Sequence, residues 1–150
     1  MTIRPMTRED LTAVARLSGE LGYPVAEPAI TQRFEELSSQ DNGLFVAANS
    51  NTGVVGWIHV VSARTLTDEP MAEIDALIVD EAARSRGVGR ELVRAAEAWA
   101  EAGGLRILRV RTRVTRERAH RFYEKAGFAL TKTQHVFDKN LAGAVISDLT

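Results

Sequence analysis

Residues 72–104 constrain the fold more than any other part of the chain. Residues 72–79 alternate as a strand, with Ile74, Ala76 and Ile78 pointing one way and Glu73, Asp75, Leu77 and Val79 the other. A short loop rich in Arg and Gly follows. Val88, Leu92, Val93, Ala96 and Trp99 then recur at the spacing of one helix face, and Gly103-Gly104 ends that helix. Strand, loop and helix in this order imply a sheet layered against helices.

The remaining segments extend the pattern. Residues 2–6 read as a first strand, and Thr7 with Asp10 has the spacing of a capping box. Leu11, Val14, Leu17 and Leu21 mark a first helix stopped by Gly22. Pro28 opens a second, with Ile30, Phe34 and Leu37 on one face. The runs 43–48 and 54–63 flank Asn49-Ser50-Asn51-Thr52-Gly53, which is hairpin chemistry. Residues 106–112 form a fifth strand and 117–126 a helix stopped by Gly127. Residues 128–132 and 135–139 are expected as two closing strands, and 141–150 as a loose tail. The expected order is β-α-α-β-β-β-α-β-α-β-β, an α+β single domain with a mixed sheet and helices on both faces. No repeat or linker suggests a boundary within the 150 residues.

Composition narrows the function classes. With no Cys, the chain has no disulfide, no thiolate nucleophile and no Cys-ligated zinc. His59, His120 and His135 are scattered without metal-ligand spacing, so they read as ordinary polar histidines and no metal is expected. No apolar run approaches the length of a membrane span, and the first thirty residues do not look like a signal peptide, so a cytoplasmic, membrane-free protein is expected. The net charge of −1 conceals a division. Residues 1–83 carry −8 and residues 84–121 carry +7, which suggests one anionic and one cationic ligand, although surface charge also fluctuates along any chain. An acidic chain without interleaved aromatics is not expected to bind nucleic acid.

The loop after residue 79 carries the clearest chemistry. Gly87 and Gly89 let the backbone approach a ligand, the first N–H groups of the helix point at it, and Arg84, Arg86 and Arg90 surround it. A pyrophosphate site is expected there, the alternative being a plain Gly-containing loop before an amphipathic helix. No Gly-Lys-Ser/Thr makes it a Walker A loop, and Leu92 stands where a dinucleotide fingerprint needs its third Gly.

Arg84-x-x-Gly87-x-Gly89 resembles the acetyl-CoA signature of the GNAT superfamily of N-acetyltransferases. Ala119-His120-Arg121-Phe122-Tyr123-Glu124-Lys125-Ala126-Gly127-Phe128 looks like its second hallmark, and Ile3-Arg4-Pro5-Met6-Thr7 is similar to its first strand. Glu73-Ile74 and residues 119–123 are also similar to aminoalkylphosphonate acetyltransferases. Where many members carry an Asn after the fifth strand, this chain has Arg113, Thr115 and Arg116.

The resemblance implies acetyl-CoA as co-substrate, held by Leu77, Val79, Arg84, Arg86, Gly87, Val88, Gly89 and Arg90. The fourth and fifth strands would splay to admit its pantetheine arm. The acceptor would be a small-molecule or protein amine, met near Tyr23-Pro24 and Glu27, and the acidic N-terminal half suits a cationic amine. Tyr123 would protonate the departing thiolate, or else simply pack beside Phe122. Glu73 and Asp75 are candidate bases for the ammonium, with Glu73 narrowly preferred for its reach; equally, they are solvent-facing acids at a strand start. Without a nucleophile motif, direct transfer in a ternary complex is expected. Arg109, Arg111 and Arg113 alternate along the fifth strand. They hold an anionic part of the acceptor, form a solvated sheet face, or pair with acids on a partner strand. A non-catalytic acetyl-CoA-binding or sensing module is the alternative to an enzyme, and a homodimer stays open.

Overall fold

The computed structural model describes residues 1–143; residues 144–150, most of the expected tail, lie outside them. The described chain falls into two compact units, Met1–Arg111 and a second beginning at Thr112.

The first unit is a five-stranded sheet in the order β1-β2-β3-β4-β5, formed by Thr2–Pro5, Asn42–Asn49, Gly53–Ala63, Met71–Val79 and Leu108–Val110. Every neighbouring pair is antiparallel except β4 and β5, which run parallel. Helices α1 (Leu11–Glu20) and α2 (Glu27–Glu36) connect β1 to β2, and α3 (Val88–Ala102) connects β4 to β5. The mixed α+β architecture expected from the pattern is therefore present.

Alternation along β2 and β3 divides the core between two faces. Val46, Val54 and Ile78 pack with Leu11, Val14 and Leu17 of α1, joined by Leu44, Trp57, Ile30 and Phe34. The residues between them face α3. A Cβ on Gly43 would stand 3.0 Å from the Trp99 ring, and one on Gly56 would stand 3.2 Å from Leu92 and 3.3 Å from Val88. Both glycines are thus positions of close helix–sheet approach, and α3 packs on the opposite side from α1. Among the described residues no helix is long and apolar enough to cross a membrane.

The β1–α1 junction is held by one buried carboxylate. Asp10, 5% exposed, accepts both Arg4 guanidinium nitrogens at 2.7 and 2.9 Å and the Thr7 N–H at 2.8 Å. The capping-box spacing of Thr7 and Asp10 marks this contact, but the residues form a 3-10 turn, Arg8–Asp10, leading into α1.

The second unit contains α4 (Glu117–Lys125). The two closing strands expected at 128–132 and 135–139 are not formed; among the described residues neither makes a ladder. Thr133-Gln134, which would join them, offers none of the Gly or Asn chemistry that closes a tight hairpin. A strand without a partner does not persist, and Leu130, Val136 and Phe137 are exposed. The fifth strand is also shorter than expected, because its ladder with β4 covers only Leu108–Val110.

Candidate functional site

Strand β4 changes character in its middle. Ala76 pairs with His59 and Ile74 with Val60, so Asp75 is an extra residue, a β-bulge. At the same place the parallel ladder with β5 ends: Ala72, Glu73 and Ile74 pair with Leu108, Arg109 and Val110, and no pairing follows among the described residues. From Asp75 to Val79 the β5-facing edge of β4 carries backbone donors and acceptors with no ladder partner.

The bulge corrects the expectation that Glu73, Asp75, Leu77 and Val79 share a face. Leu77 pairs with Ile58 and Val79 with Gly56, which places both on the α3 side. Glu73 pairs with Val61, and Asp75 turns to His59, so both acids lie on the α1 side. Ile74 is likewise separated from Ala76 and Ile78. A strict period of two cannot anticipate one inserted residue. The consequence is chemical, because the carboxylates are delivered to the side of the sheet that α1 and α2 cover.

The segment between β4 and α3 begins with a 3-10 turn, Glu81–Ala83, capped by Asp80, whose carboxylate accepts the Ala82 N–H at 3.1 Å. Arg84 reaches Glu81 at 3.7 Å. Ser85 then sits at φ 70° and Gly87 at φ 80°. The left-handed region is unfavourable for Ser, and such strain concentrates where a backbone must present itself to a ligand. Gly87 is the N-cap of α3, and no side chain caps the helix. The amides of Val88 and Gly89 therefore have no intrahelical partner. A Cβ on Gly87 would meet nothing within 4 Å. A helix N-terminus flanked by Arg84, Arg86 and Arg90 is chemically a fit for a pyrophosphate.

On the α1 face a polar cluster spans three strands. His59 Nε2 lies 2.8 Å from Asn42 Oδ1, while Asn42 Nδ2 donates to the Ser38 carbonyl at 2.9 Å. His59 Nδ1 faces Asp75 Oδ2 at 3.7 Å. Burial pushes the His59 imidazole below its usual pKa, opposed by the Asp75 charge. Glu73 Oε1 accepts from Arg111 Nε at 2.7 Å. Of the readings of the arginine row, Arg111 thus takes the pairing one, and it lies beyond the end of β5, as does Arg113. The indole N–H of Trp57, on the same face, is buried without an acceptor among the described residues. Between α1 and α2, Tyr23 is exposed, and Glu27 accepts from the Thr12 hydroxyl.

His59 and Asn42 belong to this cluster although neither stands out in the sequence. The hairpin register was the available signal. It sets Leu44 opposite His59 and Asn42 opposite Val61, which makes Asn42 and His59 diagonal neighbours.

In the second unit Tyr123 lies on α4, edge-on to Phe122 and Phe128 with ring centroids 5.1 and 5.4 Å away. Burial raises its phenol pKa against the pull of Arg116. The ring thus packs as an aromatic while its hydroxyl keeps a proton well above neutral pH. His120 donates through Nε2 to the Arg113 carbonyl at 2.8 Å.

The acetyltransferase (GNAT) family profile matches residues 9–128. An aminoglycoside N(6')-acetyltransferase type 1 from Stenotrophomonas maltophilia is 27% identical over 135 residues, covering 87% of this chain and 88% of that protein. A crystal structure titled a transcriptional regulator, from Bacillus halodurans, superposes with a TM-score of 0.80 at 28% identity, covering 92% of this chain and 99% of that one. An aminoglycoside 6'-N-acetyltransferase from Acinetobacter baumannii shares the fold, with a TM-score of 0.81 at 19% identity over 93% of this chain and 98% of its own.

Proposed function

The chain belongs to the acetyltransferase (GNAT) family, and we propose that it transfers the acetyl group of acetyl-CoA to a cationic small-molecule amine, by direct attack in a ternary complex. One observation carries the reading: the β5-facing edge of β4 from Asp75 to Val79, without a ladder partner among the described residues, leads through residues 80–87 to an uncapped helix N-terminus lined with arginines. A ligand with an amide-bearing arm and a pyrophosphate needs both halves of that arrangement.

Acetyl-CoA supplies an activated thioester. Val88 and Gly89 amides, with the charges of Arg84, Arg86 and Arg90, hold its pyrophosphate. The β4 edge at Leu77 and Val79 offers hydrogen bonds to the arm, and a β4 N–H is available to a developing oxyanion. Asp75 and Glu73 give the α1 face the negative charge that receives an ammonium. Tyr123, whose hydroxyl stays protonated at neutral pH, is assigned as the donor to the departing sulfur.

The acidic face favours a polyamine or aminoglycoside-like acceptor over an aminoalkylphosphonate, whose phosphonate it would repel. The aminoglycoside acetyltransferase relative supports that choice. A chain without Cys suits the reducing cytoplasm, which is where we place it. Similarity to a chain titled a transcriptional regulator is the observation behind the second reading, a module that binds acetyl-CoA without turnover. Thiol release from acetyl-CoA in the presence of a panel of amines separates the two. Amine-dependent release is expected, whereas calorimetric binding with no release for any amine would make the chain a sensor.

A further inference from the structure

The hydrogen bonds around His59 determine its tautomer. Asn42 spends its NH2 group on the Ser38 carbonyl, so the atom turned to His59 is Oδ1, an acceptor. His59 Nε2 therefore carries the hydrogen, and Nδ1 is left with its lone pair. That lone pair faces Asp75 Oδ2 at 3.7 Å. Two acceptors at that separation do not bond to each other. They leave room for one donor to sit ~2.8 Å from both, the normal length of such a bond. Asp75 stands in front, its side chain 67% exposed, and His59 stands behind it at 15%.

We propose that His59 and Asp75 form a divided base for the acceptor amine: Asp75 holds the substrate ammonium and His59 Nδ1 removes its proton. The inference rests on the acetyl-transfer reading and adds the group that makes the amine nucleophilic. The ammonium loses one proton to Nδ1, giving an imidazolium flanked by the Asp75 carboxylate and Asn42 Oδ1. The nitrogen lone pair then forms the N–C bond while the C–S bond breaks. The nitrogen's second proton ends on sulfur, and the imidazolium returns its own to water.

The division follows from base strength. A carboxylate near pKa 4 is a poor acceptor for a proton held near 10, and an imidazole near 6.5 lies closer. Burial keeps the His59 ring neutral, the form that can accept. The other carboxylate of this face, Glu73, is engaged with Arg111. The groups that α1 and α2 pack on this face, Leu11, Val14, Leu17, Ile30 and Phe34, are apolar. Burial is thus the main influence on the His59 titration, and Asp75 is the charge that opposes it.

The test pairs kinetics with a measurement that needs no turnover. In wild type, kcat/KM for the amine should fall on the acid side as His59 gains a proton. His59→Gln should lower kcat at neutral pH by about a hundredfold or more and abolish that limb. Asp75→Asn changes an exposed side chain, so folding is not at risk. It should raise KM for the amine and shift the limb to lower pH, because the carboxylate that raises the imidazole pKa is gone. Glu73→Gln should leave the limb in place. Nitrogen NMR of the free protein should show His59 as the Nε2–H tautomer, and its titration midpoint should fall in Asp75→Asn. An acid limb retained in the His59 variant, or an Nδ1–H tautomer, overturns the proposal while leaving the acetyltransferase reading intact. Absence of wild-type thiol release with every amine would overturn that reading instead, and the NMR result would still stand on its own.

Discussion

At the scale of single residues, the roles divide by what each atom has left to offer after the fold is made. Gly89 sits in the first turn of α3, where its amide has no helical partner and is proposed to meet the pyrophosphate. Gly89→Asp places a carboxylate there. Asp is welcome in a first helical turn, so the helix should persist. Acetyl-CoA affinity by calorimetry should nevertheless fall about tenfold or more, roughly 1.4 kcal/mol at least. Unchanged affinity would remove the loop from the cofactor site. Tyr123→Phe keeps the ring between Phe122 and Phe128 and removes only the hydroxyl. Turnover should drop roughly tenfold to a thousandfold with acetyl-CoA affinity preserved. Since the phenol pKa is raised, any alkaline limb due to Tyr123 lies above its ordinary value and should vanish in the variant. Equal turnover would reduce Tyr123 to a packing residue.

At the scale of elements, local signals were legible wherever a segment's own chemistry decides its conformation. Pro28 near the start of α2, Gly103 after α3 and the Asn49–Gly53 turn all mark boundaries that the structure keeps. What stayed hidden depends on a partner. The bulge at Asp75 exists only in the pairing of β3 with β4, and it alone decides which face Glu73 and Asp75 share. The early end of the β4–β5 ladder and the unformed strands after residue 127 are the same kind of event. The junction of β1 and α1 is a pairwise fact as well, because Arg4 and Thr7 both spend donors on Asp10. These bonds, Arg4 first, hold the Asp10 carboxyl below its usual pKa. The stabilisation is therefore fully present above the unfolded value of 3.8 and is lost as pH falls through the lower folded value. Asp10→Asn should cost about 1–3 kcal/mol near neutral pH, the worth of hydrogen bonds to a charged acceptor. In acid denaturation the gap between wild type and variant should narrow below about pH 4. A constant gap from pH 7 to pH 2 would show that the carboxylate's charge is irrelevant there.

At the scale of the whole molecule, the uneven charge of the sequence acquires a meaning from the site. The −8 of residues 1–83 includes Glu73 and Asp75 on the α1 face, where the amine is proposed to bind, and the +7 of residues 84–121 begins with the arginines around the α3 N-terminus. The charge split was legible in the sequence, whereas the contacts of His59 were not, because they lie in which atoms Asn42 and Asp75 turn towards it. Two oppositely charged ligands make salt a diagnostic tool. Raising ionic strength from about 0.01 to 0.15 M shortens the screening length from about 30 to 8 Å. The attraction of acetyl-CoA to the arginines should weaken, and its KM should rise. The KM of a cationic amine should rise too, since the acidic face then attracts it less, and a polyamine should respond more steeply than a monoamine. An anionic acceptor such as an aminoalkylphosphonate would behave oppositely, with a KM that falls as salt screens its repulsion from Glu73 and Asp75. The sign of that slope for the acceptor, measured with saturating acetyl-CoA, decides between the two substrate classes without requiring the natural acceptor in hand. A falling KM for phosphonates together with a flat response for polyamines would overturn the cationic assignment and return Arg109, Arg111 and Arg113 to consideration as an anion-binding row.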